Sequence, residues 1–342
     1  MRRLAAVGRR TNYLGTSPHP RAARAAAAFD RRTALEWLEA SVPGGPDSLL
    51  GLALRGYLAS EFGLDPDELA ATSCLYLLEG NAADEDGSDE RFHVAGGNDL
   101  ITDGLAERLA SGTVELDAPM EALWRRDDGY GLEIAGVGEV QADQVVLALP
   151  FTTLRETDLA DAGLSALKLE AIRELGMGTN AKVLLQFDER PEAYGRWRGN
   201  LSTDHPFQYT WDTSVTQGGT DGLITVYSGG RDGADLEAPG VYGAAPGPVV
   251  DETLEVLDRA APGIAGGFNG RGFVYNWTVD PWARGSYAAF LPGQTTRFAP
   301  VIKRPEGGVH FAGEHTSIAF QGFLEGAVES GERAAREVLA AR

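Results

Sequence analysis

Near the C terminus, residues 309–317 read Val-His-Phe-Ala-Gly-Glu-His-Thr-Ser, and residues 321–331 read Gln-Gly-Phe-Leu-Glu-Gly-Ala-Val-Glu-Ser-Gly. The first stretch predicts a short buried strand followed by a Gly-Glu turn, and the second predicts a helix opened by glycine. Such a turn lets the backbone touch a dinucleotide, and N–H groups at a helix N terminus point at anionic or carbonyl oxygens. Together the two stretches predict a segment that contacts a dinucleotide cofactor.

Composition limits the partners and the compartment. The 342 residues carry 30 basic and 50 acidic side chains, a formal net charge of −20. Phosphate binding needs a basic surface, so we expect neither nucleic acid nor an anionic membrane as partner. No apolar run approaches the ~20 residues that span a bilayer, and the N-terminal residues do not resemble a signal peptide. We therefore expect a cytoplasmic protein.

Strand and helix patterns alternate along the chain. Residues 144–149 form a continuous apolar run ended by Pro150, which is typical of a buried parallel strand. Alternating or apolar runs predict further strands at 113–116, 131–134, 182–187, 223–228 and 273–277. Helical periodicity is found at 30–79, 101–109, 161–175 and 250–260, and in the last helix, where it predicts a buried stripe of Leu324, Ala327, Val328, Gly331, Ala335 and Val338. The alternation predicts an α/β protein whose cofactor domain is interrupted by a substrate domain.

Four separated segments resemble one family, the flavin monoamine oxidases, within the class of monoamine, polyamine and L-amino-acid oxidases. They are residues 92–99 (Phe-His-Val-Ala-Gly-Gly-Asn-Asp), 145–154, 173–182 and 282–342. The most specific parts are Gly-Met-Gly-Thr-Asn-Ala-Lys, which ends at Lys182, and the C-terminal stretches quoted above. The resemblance extends over residues 30–342.

The resemblance implies an α/β (mixed α+β) fold, in which an FAD/NAD(P)-binding, Rossmann-like domain is interrupted by an amine-oxidase-type substrate domain of mixed sheet and helices. It assigns residues 1–88 to the helical part of the substrate domain and residues 89–160 to the FAD-binding domain. Residues 161–285 then form the substrate-binding domain, and residues 286–342 form the C-terminal FAD-binding segment.

One part of the family pattern has no match. Members begin with a strand, a Gly-x-Gly-x-x-Gly turn and a helix, which bind the FAD pyrophosphate, and this chain contains no such sequence. The glycine-rich residues 263–270 have the wrong spacing and predict a loop. We therefore expect an N-terminally truncated FAD-binding domain, either a fragment or the product of a gene start placed too late.

Three residues are expected to be catalytic. From the sequence alone, Lys182 could simply lie at a strand start with its ammonium in water. The resemblance implies instead that Lys182 holds a water against flavin N5 and assists reoxidation by O2, where an ammonium favours the negative charge that develops. Tyr287 and Phe323 match the two rings that face each other in front of the flavin in this family. Such a cage would orient a neutral amine.

Further residues are expected to contact the cofactor. Ser286 stands where some relatives carry a flavin-linking cysteine, so we expect FAD to be bound non-covalently. The five histidines and Cys74 show no metal-ligand spacing, which predicts no metal. The resemblance implies that the backbone of Val114 contacts the adenine of FAD. It implies further cofactor contacts by Trp282, Gly313, Glu314, Gln321, Gly322 and Phe323.

These expectations combine into one reaction with two alternatives. The first interpretation is an FAD-dependent amine oxidase, which converts an amine, O2 and water into a carbonyl compound, ammonia and hydrogen peroxide by hydride transfer to flavin N5. Its partners would be a small-molecule amine and O2, and a homodimer is compatible with the sequence. One alternative is a related FAD-dependent desaturase or oxidase of C–C bonds. The other is a truncated chain that is inactive or needs a partner for its missing part.

Overall fold

The fold was analysed in a computed structural model, which describes residues 20–74, 93–195, 197–317 and 320–341. The sequence predictions that fall at 75–92, including Phe92, lie outside the described residues. The helices are α1 Pro20–Asp30, α2 Ala34–Ser41, α3 Leu49–Phe62, α4 Asp99–Ala106, α5 Phe151–Leu154, α6 Ala166–Glu174, α7 Gly230–Ala234, α8 Gly247–Ala260, α9 Gln294–Ile302 and α10 Leu324–Ala340. Short 3-10 helices occur at Pro191–Tyr194, Ile264–Gly267, Trp277–Val279 and Glu314–Thr316.

The strands form three sheets. Their bounds are β1 Met120–Arg126, β2 Gly129–Ile134, β3 Gly138–Ala142, β4 Val145–Leu147, β5 Ala181–Phe187, β6 Leu201–Ser202, β7 Tyr209–Asp212, β8 Gly222–Ser228, β9 Tyr242–Ala244, β10 Phe268–Asn276 and β11 Val309–Phe311. β1, β2 and β3 form an antiparallel meander. β4 and β11 form a parallel pair. The largest sheet has the order β6-β7-β8-β5-β10-β9 and is antiparallel throughout.

The parallel pair confirms the strongest strand predictions. Val145 lies opposite Val309, and Leu147 lies opposite Phe311. The pair therefore joins a stretch near the middle of the chain to one near its C-terminal end. Phe311 is fully buried in a core cluster that also contains residues of α5, α6 and α9. α6 therefore packs with β4 and β11, which the sequence division assigns to the FAD-binding domain, although it places residues 161–285 in the substrate domain.

The large sheet is buried on one face by α8. Alternate residues of its central strands, including Val183, Val226 and Val274, pack with Val256 and Leu257 of α8 in a second core cluster. Alternation in a strand sends the intervening side chains to the opposite face. Lys182 is one of these intervening residues, and it is half-buried.

Three local predictions are wrong. Residues 263–270 are predicted to be a loop but form a 3-10 helix at Ile264–Gly267 and then the start of β10. Residues 113–116 form no strand, and Leu116 and Val114 are exposed; an alternating pattern needs a neighbouring strand to pair with, and none lies beside this segment among the described residues. In α10, the buried residues are Gly326, Ser330 and Ala334. The predicted stripe lies outside: Leu324, Ala327, Val328, Gly331 and Ala335 are exposed, and Val338 is half-buried. Small residues let α10 approach its neighbours closely, as Gly326 shows, where a Cβ would collide with the Phe320 carbonyl.

None of the helices within the described residues combines the length and apolar character needed to cross a membrane.

Lys168 lies fully buried in the first core cluster. Its Nζ donates to the carbonyl oxygens of Ile302 and Arg304, at 3.0 and 2.9 Å, and lies 3.5 Å from the Phe311 ring centroid. It therefore supplies donors to carbonyls at the C-terminal end of α9. Burial lowers the pKa of the Lys168 ammonium from 10.5 to about 7, partly opposed by Glu306.

This burial predicts a pH-dependent stability. Between pH 7 and 10.5 the unfolded chain holds the Lys168 proton that the folded chain has lost, so the free energy of unfolding should rise with pH across that window, by up to a few kcal/mol. Denaturant unfolding at several pH values measures this. Lys168→Met should flatten the rise, whereas Lys303→Met, on the less buried neighbouring lysine, should leave most of it. An unchanged slope in Lys168→Met contradicts the prediction.

Candidate active site

The two most specific sequence motifs lie side by side. Gly178 N–H donates to the Tyr287 carbonyl at 2.7 Å, and Ser286 N–H donates to the Gly178 carbonyl at 2.8 Å. Ala289 N–H continues this antiparallel contact at the Gly176 carbonyl. The glycines are required because a Cβ on Gly176 would collide with the Ala289 carbonyl, and one on Gly178 would lie 2.6 Å from Ser286 Oγ. The close approach therefore places Lys182 and Tyr287 in one region.

The C-terminal end of α3 completes this region. The Ser60 carbonyl accepts hydrogen bonds from Asn180 Nδ2 and from the Tyr287 hydroxyl, both at 2.9 Å. Asn180 is fully buried, and its Oδ1 accepts from Ser286 Oγ at 2.6 Å. Asn180, within the glycine motif, thereby ties α3 to the segment that carries Tyr287.

Lys182 lies among three aromatic rings. Its Nζ is 5.4 Å from the ring centroids of Trp211 and Tyr227 and 5.5 Å from that of Trp277. These distances fall within the ~6 Å range of cation–π attraction. Trp211 comes from β7, Tyr227 from β8 and Trp277 from the residue after β10. The ammonium is therefore held near a mostly aromatic surface, and it is not simply directed into water.

Tyr227 links Lys182 to Tyr287. The two tyrosine hydroxyls are 3.0 Å apart, and the Tyr287 hydroxyl donates its proton to the Ser60 carbonyl. The Ser60 carbonyl can only accept, so the Tyr287 hydroxyl is bonded both to this carbonyl and to the Tyr227 hydroxyl. Burial, together with Tyr227, raises the pKa of the Tyr287 hydroxyl well above its ordinary value. Tyr287 is therefore neutral, and its hydroxyl is held by protein groups.

Glu314 joins the two segments that carry the predicted aromatic cage. Its Oε1 accepts from Ala288 N–H at 2.9 Å, and its Oε2 accepts from Gly322 N–H at 2.7 Å. Ala288 follows Tyr287, and Gly322 precedes Phe323. Burial raises the pKa of the Glu314 carboxyl, while the two backbone hydrogen bonds oppose the shift. The side chain thus has backbone partners, and the expected cofactor contact of Glu314 stays a prediction.

The turn before α10 leaves a helix N terminus without a side-chain cap. Phe323 is the N-cap residue and makes no side-chain capping hydrogen bond. Gly326 N–H donates to the Phe323 carbonyl at 3.0 Å, so the N–H groups of Leu324 and Glu325 are those of the first turn that can reach an acceptor outside the helix. Gly322 has a φ of 87°, and a Cβ built on it would lie 4.0 Å from Tyr287 Cδ2. Gln321 Nε2 donates to the His315 carbonyl at 3.3 Å. The turn and Tyr287 therefore adjoin each other.

The remaining predicted cofactor contacts are less closely placed. Gly313 has a φ of 110° at the end of β11, and its N–H donates to Ser330 Oγ at 2.9 Å. Trp282 is 70% exposed, and Val114 is 48% exposed. Their cofactor roles stay predictions. Sequence reasoning did not identify Trp211, Tyr227 or Ser60; the first two are aromatic residues in strands, which sequence alone assigns to a core.

A group of carboxylates with metal-like spacing lies elsewhere. Single oxygens of Asp65, Asp67 and Glu68 lie within 4.8 Å of one another. The Arg231 guanidinium contacts all three, at 2.9 Å from Asp65, 2.8 Å from Asp67 and 3.7 Å from Glu68. The positive charge that such a cluster favours is thus supplied by an arginine.

The tyrosine pair can be tested without any ligand. Tyr227→Phe and Tyr287→Phe should each destabilise the fold, and the double variant should cost less than their sum, by about 0.5–1.5 kcal/mol, because each single change already breaks the shared hydrogen bond. Denaturant unfolding measures the cycle. Tyr209→Phe is the control, since that exposed hydroxyl contacts Asn200, and it should add to Tyr287→Phe. Strict additivity for Tyr227 and Tyr287 contradicts the pairing.

Comparison with known proteins identifies related sequences. The family described as flavin containing amine oxidoreductase matches residues 5–339. The putative L-amino-acid oxidase YobN of Bacillus subtilis (strain 168) is 33% identical over 199 residues, covering 58% of this chain and 41% of the relative. Flavin-containing amine oxidase B of Sus scrofa is 25% identical over 263 residues, covering 74% and 48%. The chain spans less than half the length of these two relatives.

Solved structures share the fold. Cyclohexylamine oxidase from Brevibacterium oxydans IH-35A matches with a TM-score of 0.82 at 19% identity, covering 98% of this chain and 73% of that one. Wild-type putrescine oxidase bound to putrescine matches with a TM-score of 0.82 at 18% identity, covering 99% and 74%. The predicted fold, that of FAD-dependent amine oxidases, is confirmed. Because the family match extends over most of its length, this chain belongs to the flavin-containing amine oxidoreductase family.

Proposed function

We propose that this chain contributes the catalytic region of an FAD-dependent enzyme that oxidises a small-molecule amine with O2. The observation that carries the proposal is the connection from Lys182 through Tyr227 to Tyr287, beside the Gly322 turn. The sequence predicted functions for Lys182, Tyr287 and Gly322 separately, and the fold brings them together. The products would be a carbonyl compound, ammonia and hydrogen peroxide.

The residues present fit a flavin at this place. Uncapped N–H groups at the start of α10 suit a carbonyl that gains negative charge, and the backbone at Gly322 offers close approach because it lacks a Cβ. Further contacts with the cofactor are proposed for Gly313, Glu314, Gln321, Phe323, Trp282 and Val114. Ser286 offers no thiol, which supports non-covalent binding. When bound, the flavin supplies the hydride acceptor and the reaction with O2.

The protein residues then have distinct roles. The Tyr287 ring, fixed through its hydroxyl, and the Phe323 ring would orient the amine and exclude water from it. An amine must be neutral to lose hydride from its carbon, and a desolvated aromatic site beside the Lys182 ammonium disfavours a second positive charge. Lys182 would in turn stabilise negative charge that develops when O2 is reduced.

The proposed substrate class comprises amines and amino acids. The matched relatives include proteins named for L-amino acids, cyclohexylamine and putrescine. Hydrogen peroxide production with simple amines as the substrate separates the amine oxidase from the alternative that oxidises C–C bonds. A cytoplasmic location and a homodimer are also part of the proposal. Sedimentation velocity measures the oligomeric state.

A flavin spectrum tests the function directly. The purified chain is incubated with about one equivalent of FAD and freed of unbound cofactor. Its absorbance is then scanned over the visible bands of flavin, with heat-unfolded chain as the control. We expect bound flavin that is bleached anaerobically by an amine panel of cyclohexylamine, putrescine and L-amino acids, with hydrogen peroxide formed in air. A folded but colourless protein contradicts the proposal for this chain.

A further inference from the structure

One face of the large sheet carries a row of aromatic side chains. The strand register places Tyr209 opposite Tyr227, Tyr227 opposite Lys182, Lys182 opposite Tyr275, and Tyr275 opposite Tyr242. Directly paired residues send their side chains to the same face of a sheet. These five residues therefore form one row across β7, β8, β5, β10 and β9, on the face opposite α8.

The rings make a continuous surface from the sheet edge to Lys182. Tyr242 stacks on Tyr275 at 5.6 Å between centroids and 17° between planes. Tyr275 lies 4.4 Å from Trp277, whose ring is 5.5 Å from Lys182 Nζ. At the outer end, Phe273 stacks on Tyr242 at 6.0 Å. Tyr242 is 62% exposed and Phe273 is 41% exposed, so this end of the surface faces solvent.

Two features of this aromatic surface show that it suits a positive charge. The inner end of the same surface already holds an ammonium, that of Lys182, among three rings. Between the two ends, the Tyr275 hydroxyl donates to Asp280 Oδ2 at 3.0 Å and Trp282 N–H donates to Asp280 Oδ1 at 2.8 Å, which places a carboxylate beside the ring on which Tyr242 stacks. Aromatic faces carry negative partial charge, so the rings and the carboxylate attract the same kind of ligand.

We propose that Tyr242, Phe273, Tyr275 and Asp280 form an outer binding site for an organic ammonium ion, from which the ligand passes along the aromatic row to Lys182. The site attracts the ammonium form that dominates in water. Near Lys182, repulsion between like charges favours loss of the ligand's proton. The passage to Lys182 rests on the proposed function, whereas binding at the outer site does not.

A quaternary ammonium ion tests the site without turnover. Choline is titrated into the purified chain and compared with 3,3-dimethylbutan-1-ol, its neutral isostere, with binding followed by tryptophan fluorescence, since Trp277 adjoins Tyr275, and by ligand NMR line width. We expect choline to bind about tenfold more tightly than the alcohol. Neither measurement requires flavin, so failure here and failure of the flavin spectrum are separate results.

Matched variants locate the binding. Tyr242→Leu keeps apolar area but removes the ring, and it should weaken choline about three- to tenfold, whereas Tyr242→Phe should bind as the unchanged chain does. Asp280→Asn should weaken binding and reduce its dependence on salt. Equal binding of choline and the alcohol, or unchanged binding by Tyr242→Leu, overturns the proposal. So does a dimer, seen by sedimentation and lost in Tyr242→Leu, that competes with choline.

Discussion

Replacement of Lys182 by methionine is expected to slow the reaction of the flavin-loaded, reduced protein with O2 by about two to three orders of magnitude. Methionine keeps much of the side-chain length but removes the ammonium that lies among Trp211, Tyr227 and Trp277. Reduction of the flavin by an amine should change far less, because the aromatic, desolvated site still favours the neutral amine when the Lys182 charge is removed. Stopped-flow absorbance measures the two half-reactions separately.

A second lysine, Lys303, provides the control for this experiment. Lys303→Met removes a charge outside the aromatic cluster and should leave both half-reactions unchanged. Unfolding curves of the Lys182 variant separate a chemical effect from damage to the fold. Equal slowing of reduction and reoxidation would refute the assigned role of Lys182.

Replacement of Glu314 by alanine is expected to lower the free energy of unfolding by about 2–4 kcal/mol, because two backbone N–H groups lose their acceptor. The groups belong to Ala288 and Gly322, each adjacent to one residue of the predicted cage. The same change should therefore loosen the segments of both Tyr287 and Phe323. Denaturant unfolding measures the stability, and amide hydrogen exchange at residues 288 and 322 measures the loosening.

Two variants make the Glu314 result specific. Glu314→Gln keeps one acceptor oxygen and should fall between the native chain and Glu314→Ala. Glu325→Ala removes an exposed carboxylate in the first turn of α10 and should change stability by no more than about 0.5 kcal/mol. An alanine variant at Glu314 that unfolds like the native chain contradicts a structural role for the two hydrogen bonds.

Much of the fold could be predicted from local pattern. The runs that form β4, β5, β8 and β11 have the apolar content of buried strands, and such runs identify themselves because burial requires apolar side chains. The segment at 113–116 shows the limit. Its alternation is as regular as that of residues in β2, yet a strand exists only where a second strand supplies hydrogen-bond partners.

The last helix shows a second limit. Its periodicity marks Leu324 and Val328 as a buried face, but α10 instead packs through Gly326, Ser330 and Ala334. Close packing against β11 and the preceding turn selects small residues, and hydrophobicity alone does not measure closeness. Glu314 is a comparable case, since its neighbours in sequence give no sign that its oxygens accept from Ala288 and Gly322.

The family could be identified from contiguous residues, through the Gly-Met-Gly-Thr-Asn-Ala-Lys motif and the Gly-Glu turn with its following helix. The sequence also determined which strands are buried, because both kinds of information lie in contiguous residues. By contrast, the contacts of Tyr227 with Lys182 and Tyr287, and those of Glu314 with the segment after Tyr287 and the turn before α10, become visible in the folded chain alone. Those contacts depend on strand register and on the approach of glycine backbones, which are set by residues far apart in the chain.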